Sequence, residues 1–280
     1  MNAQDKPGAP PLGKFVDAGD GVTVHLHDLG DDANPAVVFV HGSGPGASGW
    51  SNFKQNVDAF VAAGYRVIVP DLLGYGFTDK PTEGDYTLDR FAGVLKGALD
   101  ALNIKSATLV GNSLGGAISI RIALDHPGFV DKLIMMAPGG IEELDTYMAM
   151  PGIQAMMGGF LGGTLDAENF RKLLTQLVFD PKHITPQLVQ ERTVILEEMP
   201  QEVLGTMRVP NQESELKNLT CPVLVFWGTE DRFCPASGHA KFLAHVKPSR
   251  VVLVNECGHW VMVEHADLFD RTCIDFLKDG

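Results

Sequence analysis

A chain of 280 residues, 45% apolar and 20% charged, has the composition of a globular protein with a sizeable core, either one large domain or a core domain with an insertion. Its formal net charge of −13 argues against nucleic acid and anionic membrane surfaces, which need clustered Lys and Arg, and an anionic substrate would require a local cation. No apolar run approaches transmembrane length, and Met1 to Lys14 lacks the apolar centre of a signal peptide, so a cytoplasmic protein is expected. Cys221, Cys234, Cys257 and Cys273 show no Cys-x-x-Cys spacing; reduced thiols are expected, with neither a zinc site nor a disulfide framework.

Residues 1–13 are rich in Pro and Gly and read as a mobile end. Val22-Thr-Val-His-Leu-His-Asp alternates apolar and polar residues, the pattern of a half-exposed strand near a sheet edge, with His25 and His27 on the solvated face. Ala36-Val-Val-Phe-Val40 is a continuous apolar run, as expected of a strand buried on both faces. It ends in His41-Gly-Ser-Gly-Pro-Gly-Ala-Ser-Gly-Trp50-Ser-Asn52, a glycine-rich loop whose N–H groups could bind a negative oxygen. The loop lacks the Gly-Lys-Ser/Thr ending of a phosphate-binding loop and does not match the dinucleotide fingerprint.

Residues 51–63 have helical periodicity, and Tyr65-Arg-Val-Ile-Val-Pro70 reads as a second buried strand. In the turn that follows, Asp71 reads as a structural residue bonding loop amides. A helix is expected over Asp85 to Leu102, a strand over Ala107 to Asn112, a helix from Ser113 to His126 stopped by Pro127-Gly128, and a strand over Lys132 to Pro138. Gly111-x-Ser113-x-Gly115 therefore falls on a sharp strand-to-helix turn, with a serine at its apex and fresh helix amides beside it.

The alternation of strands and helices implies a parallel, doubly wound sheet. It stops after Gly139-Gly140. Residues 141–219 read as a helical insertion punctuated by Pro151, Gly158-Gly159, Gly162-Gly163, Pro181 and Pro186, so that 1–140 with 220–280 form a core and 141–219 a cap. Met148, Met150, Met156 and Met157 suit either an adaptable apolar pocket or ordinary cap packing. Strands resume at Cys221 to Trp227 and Arg250 to Val254, followed by loops bearing Asp231 and His259 and a last helix ending near Lys278.

Ser113, Asp231 and His259 each lie just beyond a strand's C-terminal end, the edge where open α/β sheets build their sites. Their chain order is that of a nucleophile-elbow hydrolase. His259 would take the Ser113 proton, Asp231 would hold the imidazole, and the amides of Ser43 and Leu114 would bind the oxyanion. Glu230 is a rival carboxylate beside Asp231. No motif calls for a metal, nucleotide or flavin cofactor.

The strand, His-Gly loop, serine turn, helical insertion, Asp loop and Gly-His loop together resemble the α/β-hydrolase fold over nearly the whole chain. That fold is a doubly wound, mostly parallel sheet with the cap inserted after the sixth strand. His41 to Asn52, Gly111-Asn-Ser-Leu-Gly-Gly116, Ala137-Pro-Gly-Gly140 and Cys257-Gly-His-Trp260 further resemble the meta-cleavage product hydrolases, which cut carbon–carbon bonds in catechol ring-fission products. The resemblance implies a vinylogous diketo acid as an anionic small-molecule substrate. It implies Arg192, in Gln190-Glu-Arg-Thr, as the clamp on its carboxylate. Gly42, Gly44, Asn52 and Asn112 would line the polar end, and Trp260 would wall the pocket. The plainer alternative for Arg192 is an exposed arginine paired with Glu191 or Glu197. Related enzymes often form dimers or larger assemblies. A carboxylesterase on the same scaffold and a non-enzymatic small-molecule receptor remain as competing readings.

Overall fold

Val37 to Val40, Val67 to Val69 and Val223 to Trp227 are all buried, because each of these apolar runs is covered by helices on both faces of one sheet. The computed structural model describes residues 3–161 and 166–279, so Gly162-Gly163 lie outside the described residues. The strands are β1 (Lys14–Asp17), β2 (Thr23–Leu29), β3 (Ala36–Val40), β4 (Arg66–Pro70), β5 (Ala107–Asn112), β6 (Val130–Met136), β7 (Val223–Gly228) and β8 (Ser249–Val254). They form one 8-stranded sheet in the order β1-β2-β4-β3-β5-β6-β7-β8. Among the described residues, only the β1–β2 and β2–β4 pairings are antiparallel.

Helices α1 (Gly49–Phe53), α2 (Val57–Ala62), α3 (Leu88–Ala101) and α4 (Leu114–Asp125) precede β6. Between β6 and β7 stand α5 (Leu144–Met148), α6 (Pro151–Leu161), α7 (Ala167–Leu174), α8 (Pro186–Leu196) and α9 (Glu202–Gly205), and the chain closes with α10 (His239–His245), α11 (Val261–Glu264) and α12 (Ala266–Lys278). Side chains alternate along each strand, so Val38 and Val40 pack with α3, α4 and Phe242 of α10 on one face. Val37 and Phe39 pack with Phe53, Phe60 and the α12 residues Phe269 and Phe276 on the other. Helix α3 shows why the periodicity was readable. Leu88, Phe91, Leu95 and Leu99 recur on its buried face, and Thr87 caps it by accepting the Arg90 N–H.

The inserted helices meet the sheet at the C-terminal strand ends. Phe170 and Leu174 of α7 and Leu188 of α8 join the core cluster around Trp260, each buried side chain contributing about 1.5–3 kcal/mol. Helix α5, in contrast, has no fully buried residue and is held to the core through the half-buried Tyr147.

Several expectations need correction. His25 and His27 are not solvated: they are only 1% and 7% exposed. Strand β1, unread from the sequence, covers this edge, and Phe15, Phe77 and Trp50 pack against the two rings. The His25 Nδ1–H donates to Asp71 at 2.8 Å, while burial pushes His27 down to about 4. The helical periodicity of residues 51–63 corresponds to the end of α1 and the whole of α2. The N-terminal segment lies on α8, with Lys6 paired to Glu197 at 2.7 Å and Gln190 donating to the Pro7 carbonyl. All four cysteines are free and buried.

Candidate active site

The site sits where the sheet changes winding direction. The chain leaves β3 toward β4 on one side and β5 toward β6 on the other, opening a crevice at the C-terminal ends of β3 and β5. Ser113 occupies the turn after β5 with φ 54° and ψ −116°, a strained conformation of a kind that costs about 1–3 kcal/mol and persists only under tight packing. Gly111 and Gly115 supply that packing. A Cβ on Gly111 would lie 2.5 Å from the Gly115 carbonyl, and one on Gly115 would lie 2.0 Å from the Val40 carbonyl. No larger residue fits at either position.

Asp231 follows β7 and His259 follows β8, and both are buried. The His259 Nδ1–H donates to Asp231 Oδ2 at 2.7 Å, and Asp231 Oδ1 accepts the N–H groups of Phe233 and Cys234 at 2.7 and 3.0 Å. Those loop amides orient the carboxylate, which in turn fixes the imidazole with Nε2 free. Glu230, the rival carboxylate, is exposed. The Ser113 hydroxyl is not hydrogen-bonded to His259 in this structure. The Cys234 thiol lines the same cavity as Ser113, and burial and the Asp231 charge hold it well above the usual thiol range.

Two ties, neither foreseen from the sequence, secure the His259 loop to the insertion. The His259 N–H donates to the Leu177 carbonyl at 2.9 Å. Glu264 accepts the Gly258 N–H on Oε1 at 2.7 Å, and the N–H groups of Phe179 and Asp180 on Oε2 at 2.7 and 3.1 Å.

The 41–52 loop is fastened by buried polar contacts. His41 donates from Nδ1 to the Gly42 carbonyl and accepts the Leu72 N–H on Nε2, which requires the neutral ring; burial pushes its pKa down to about 4. Asp71 accepts the N–H groups of Gly49 and Phe77, the structural role expected of it. The N–H groups of Ser43 and Leu114 have no backbone partner among the described residues, and both residues line the same cavity as Ser113. Gly42 packs directly on Asn112 and Ser113.

Arg192 is 2% exposed, donates from Nε to the Gly46 carbonyl at 3.3 Å and stacks on Trp260 with its guanidinium carbon 5.2 Å from the ring centroid. The ion pairs considered for it do not form: Glu191 binds Lys54 and Glu197 binds Lys6. Its Nη1 has no partner, and burial pulls its pKa down to about 10, partly offset by Tyr75. Asn52 Oδ1, Asn112 Oδ1 and Tyr75 Oη are likewise buried without partners. Asn112 donates to the Met136 and His259 carbonyls, and Trp260 forms the floor under Arg192. Neither these two nor Asn52 lines either of the two spaces that adjoin Ser43. Tyr75 escaped the sequence reading, although its place in Asp71-Leu-Leu-Gly-Tyr-Gly directly after a strand was the available signal.

Two spaces adjoin Ser43. A gap of about 20 Å³ lies between Gly44, Pro45, Arg192, Leu174 and Phe233. On the other side, a cavity of about 960 Å³ runs from Ser113 and Leu114 toward α5, α6 and α9. Met148, Met156 and Met157 line it; Met150 does not.

A doubly wound sheet, a helical insertion after its sixth strand and a serine turn facing a His–Asp pair are the architecture of an α/β-hydrolase. A model of the alpha/beta hydrolase fold family matches residues 35–266. The 2-hydroxy-6-oxo-6-phenylhexa-2,4-dienoate hydrolase of Burkholderia cepacia is 37% identical over 266 residues, covering 92% of each chain. The 2-hydroxy-6-oxononadienedioate/2-hydroxy-6-oxononatrienedioate hydrolase of Comamonas testosteroni matches to the same extent, 37% over 92% of each chain. Among solved structures, the meta-cleavage product hydrolase CumD of Pseudomonas fluorescens IP01 superposes with a TM-score of 0.82 at 29% identity, covering 96% of this chain and 98% of that one. The chain belongs to the α/β-hydrolase fold family and, within it, to the meta-cleavage product hydrolases.

Proposed function

We propose that the chain hydrolyses a carbon–carbon bond in vinylogous 1,5-diketo acids of the 2-hydroxy-6-oxohexa-2,4-dienoate type, releasing a 2-hydroxypenta-2,4-dienoate and a carboxylic acid. One observation carries this reading beyond family membership. Arg192 is buried, lacks a carboxylate partner among the described residues and adjoins the loop of Ser43 and Gly44. A buried guanidinium without a counter-ion is costly unless a ligand supplies one. An ester substrate has no such group; a dienoate carboxylate with its adjacent 2-oxygen matches the guanidinium fork.

The chemistry follows from the arrangement. The bond to be cut would leave a carbanion, so the dienol must first become its keto tautomer. His259 moves the 2-hydroxyl proton to C5, and Arg192 holds the developing charge at the 2-oxygen. Ser113 then rotates toward His259 Nε2, loses its proton and attacks the C6 carbonyl; such contacts often tighten only when substrate binds. The N–H groups of Ser43 and Leu114 receive the oxyanion, each such donor contributing about 2.7–4 kcal/mol. The C5–C6 electrons pass into the dienolate, which is protonated and leaves, and water activated by His259 frees the acyl group from Ser113. In this scheme residues 141–219 are a cap on a core of 1–140 and 220–280. The gap of about 20 Å³ beside Arg192 is roughly one water in size, so the head group enters as Met156 and its neighbours shift.

The test compares two substrates on one variant. Arg192→Ala is expected to lower kcat/KM for the dienoate by about 10²–10³, the loss of a buried charge pair, while p-nitrophenyl acetate turnover changes less than about threefold. Equal losses on both substrates would remove the carboxylate clamp from the account.

A further inference from the structure

The two sides of Ser113 differ sharply in chemistry. Beside Arg192 the space is tight, about 20 Å³, and the guanidinium is the one charge on its described lining, whereas the 960 Å³ cavity beyond is walled by Tyr147, Ile153, Met156, Leu204, Met207 and Val209. An apolar cavity of about 150 Å³ holds a benzene ring, so there is room for far more than one ring. The mouth is apolar as well: Leu144, Met148 and Met157 are 71%, 38% and 36% exposed, and the first two belong to α5, which has no fully buried residue.

Most polar groups around this cavity are already engaged or carry the wrong sign for an anion, the exposed Arg208 being the one cation on the described lining. Tyr147 Oη accepts the Ile141 N–H. Among the described residues, the charged groups lining the cavity are Asp89, Glu142, Glu143 and Arg208. Glu142 is paired with Lys241 at 2.7 Å, and Glu143 accepts from Asn211 at 2.7 Å. Arg208 is exposed, with its Nη1 turned to the Met207 carbonyl at 2.9 Å. Among the described residues lining the cavity there is no buried cation to receive a second carboxylate, and with Glu142 neutralised by Lys241, Asp89 and Glu143 still outnumber the one arginine, a balance that disfavours an anion.

We propose that this cavity receives an uncharged, ring-bearing acyl group and discriminates against acyl chains that end in a carboxylate. The inference rests on the reading of Ser113 and Arg192 given above. It deepens that reading by separating the two substrate types named for the curated relatives, phenyl-bearing and dioic. The ring stacks among flexible methionine side chains, which adapt to bicyclic as well as monocyclic groups. A terminal carboxylate would surrender its water without finding a partner.

The experiment measures kcat/KM of the wild-type protein on three dienoates with one head group: the 6-phenyl compound, the 6-methyl compound and 2-hydroxy-6-oxononadienedioate. The phenyl compound is expected to exceed the dioate by at least about 100-fold, the scale on which a buried site rejects an unpaired polar group. Leu204→Trp, which fills the cavity, should lower phenyl turnover more than methyl turnover. Asp89→Asn combined with Glu143→Gln should narrow the gap to the dioate. A dioate turned over as well as or better than the phenyl compound overturns the proposal. Hydrolysis of none of the three overturns the carbon–carbon reading instead, and the acyl preference is then read on p-nitrophenyl benzoate against mono-p-nitrophenyl succinate. A succinate ester hydrolysed as fast as the benzoate ester would overturn the proposal there too.

Discussion

Glu264→Ala tests how far the position of His259 depends on the insertion. The carboxylate accepts three N–H groups from two segments, Gly258 on one side and Phe179 and Asp180 on the other. Gly258 is buried, so its orphaned N–H costs about 1–3 kcal/mol. Phe179 is exposed and Asp180 half-buried, so water replaces most of what they lose, and each costs about 0.5–1.5 kcal/mol. A total of about 2–6 kcal/mol leaves a protein of ordinary stability folded. Urea unfolding should show a lower midpoint at unchanged slope. The functional loss should fall on kcat more than on KM, because the loop that presents His259 loosens while the Arg192 side stays intact. Glu264→Gln, which keeps one accepting oxygen, should recover part of both losses. An alanine variant within about 0.5 kcal/mol of wild type and with unchanged kcat would refute the argument.

Ser113→Ala should remove turnover while preserving the circular dichroism spectrum; normal hydrolysis by that variant would dismiss Ser113 as nucleophile. Asp231→Asn should lower kcat by roughly 10⁴, since an amide facing Nδ1 favours the wrong imidazole tautomer, and a loss under tenfold would contradict this. His41 is held neutral, at about 4 against an ordinary 6.5, so the unfolded chain binds more protons between those values. Stability from this residue is complete above pH 6.5 and falls by about 3 kcal/mol on acidification to 4. Urea titrations at pH 7 and 4 should show a smaller acid loss in His41→Asn; an equal loss would contradict the assignment. Phe91→Ala, emptying the centre of α3, should cost about 3–5 kcal/mol in the same assay.

The parts of the site that were legible in the sequence are those dictated by local geometry. Gly111, Ser113 and Gly115 announce the turn because the backbone approaches there permit no side chain, and continuous runs such as Val37 to Val40 announce strands buried on both faces. Asp231 and His259 were placed by their offsets from such strands. What escaped depends on partners distant in the chain. The burial of His25 and His27 needs β1 and Trp50, which alternation within 22–28 cannot reveal. Glu264 looks like any surface acid on a short helix until the 177–180 segment folds over it. The large volume beside Ser113 arises from how α5, α6 and α9 arch over the sheet, and no methionine count measures that.

The central claim is carbon–carbon bond hydrolysis, and the most direct measurement follows the yellow 2-hydroxy-6-oxo-6-phenylhexa-2,4-dienoate by absorbance with purified protein, alongside a p-nitrophenyl ester. Rapid bleaching with one benzoate formed per dienoate consumed, and a much slower ester reaction, is the predicted result. Fast ester turnover with the dienoate untouched would contradict the account and leave a carboxylesterase.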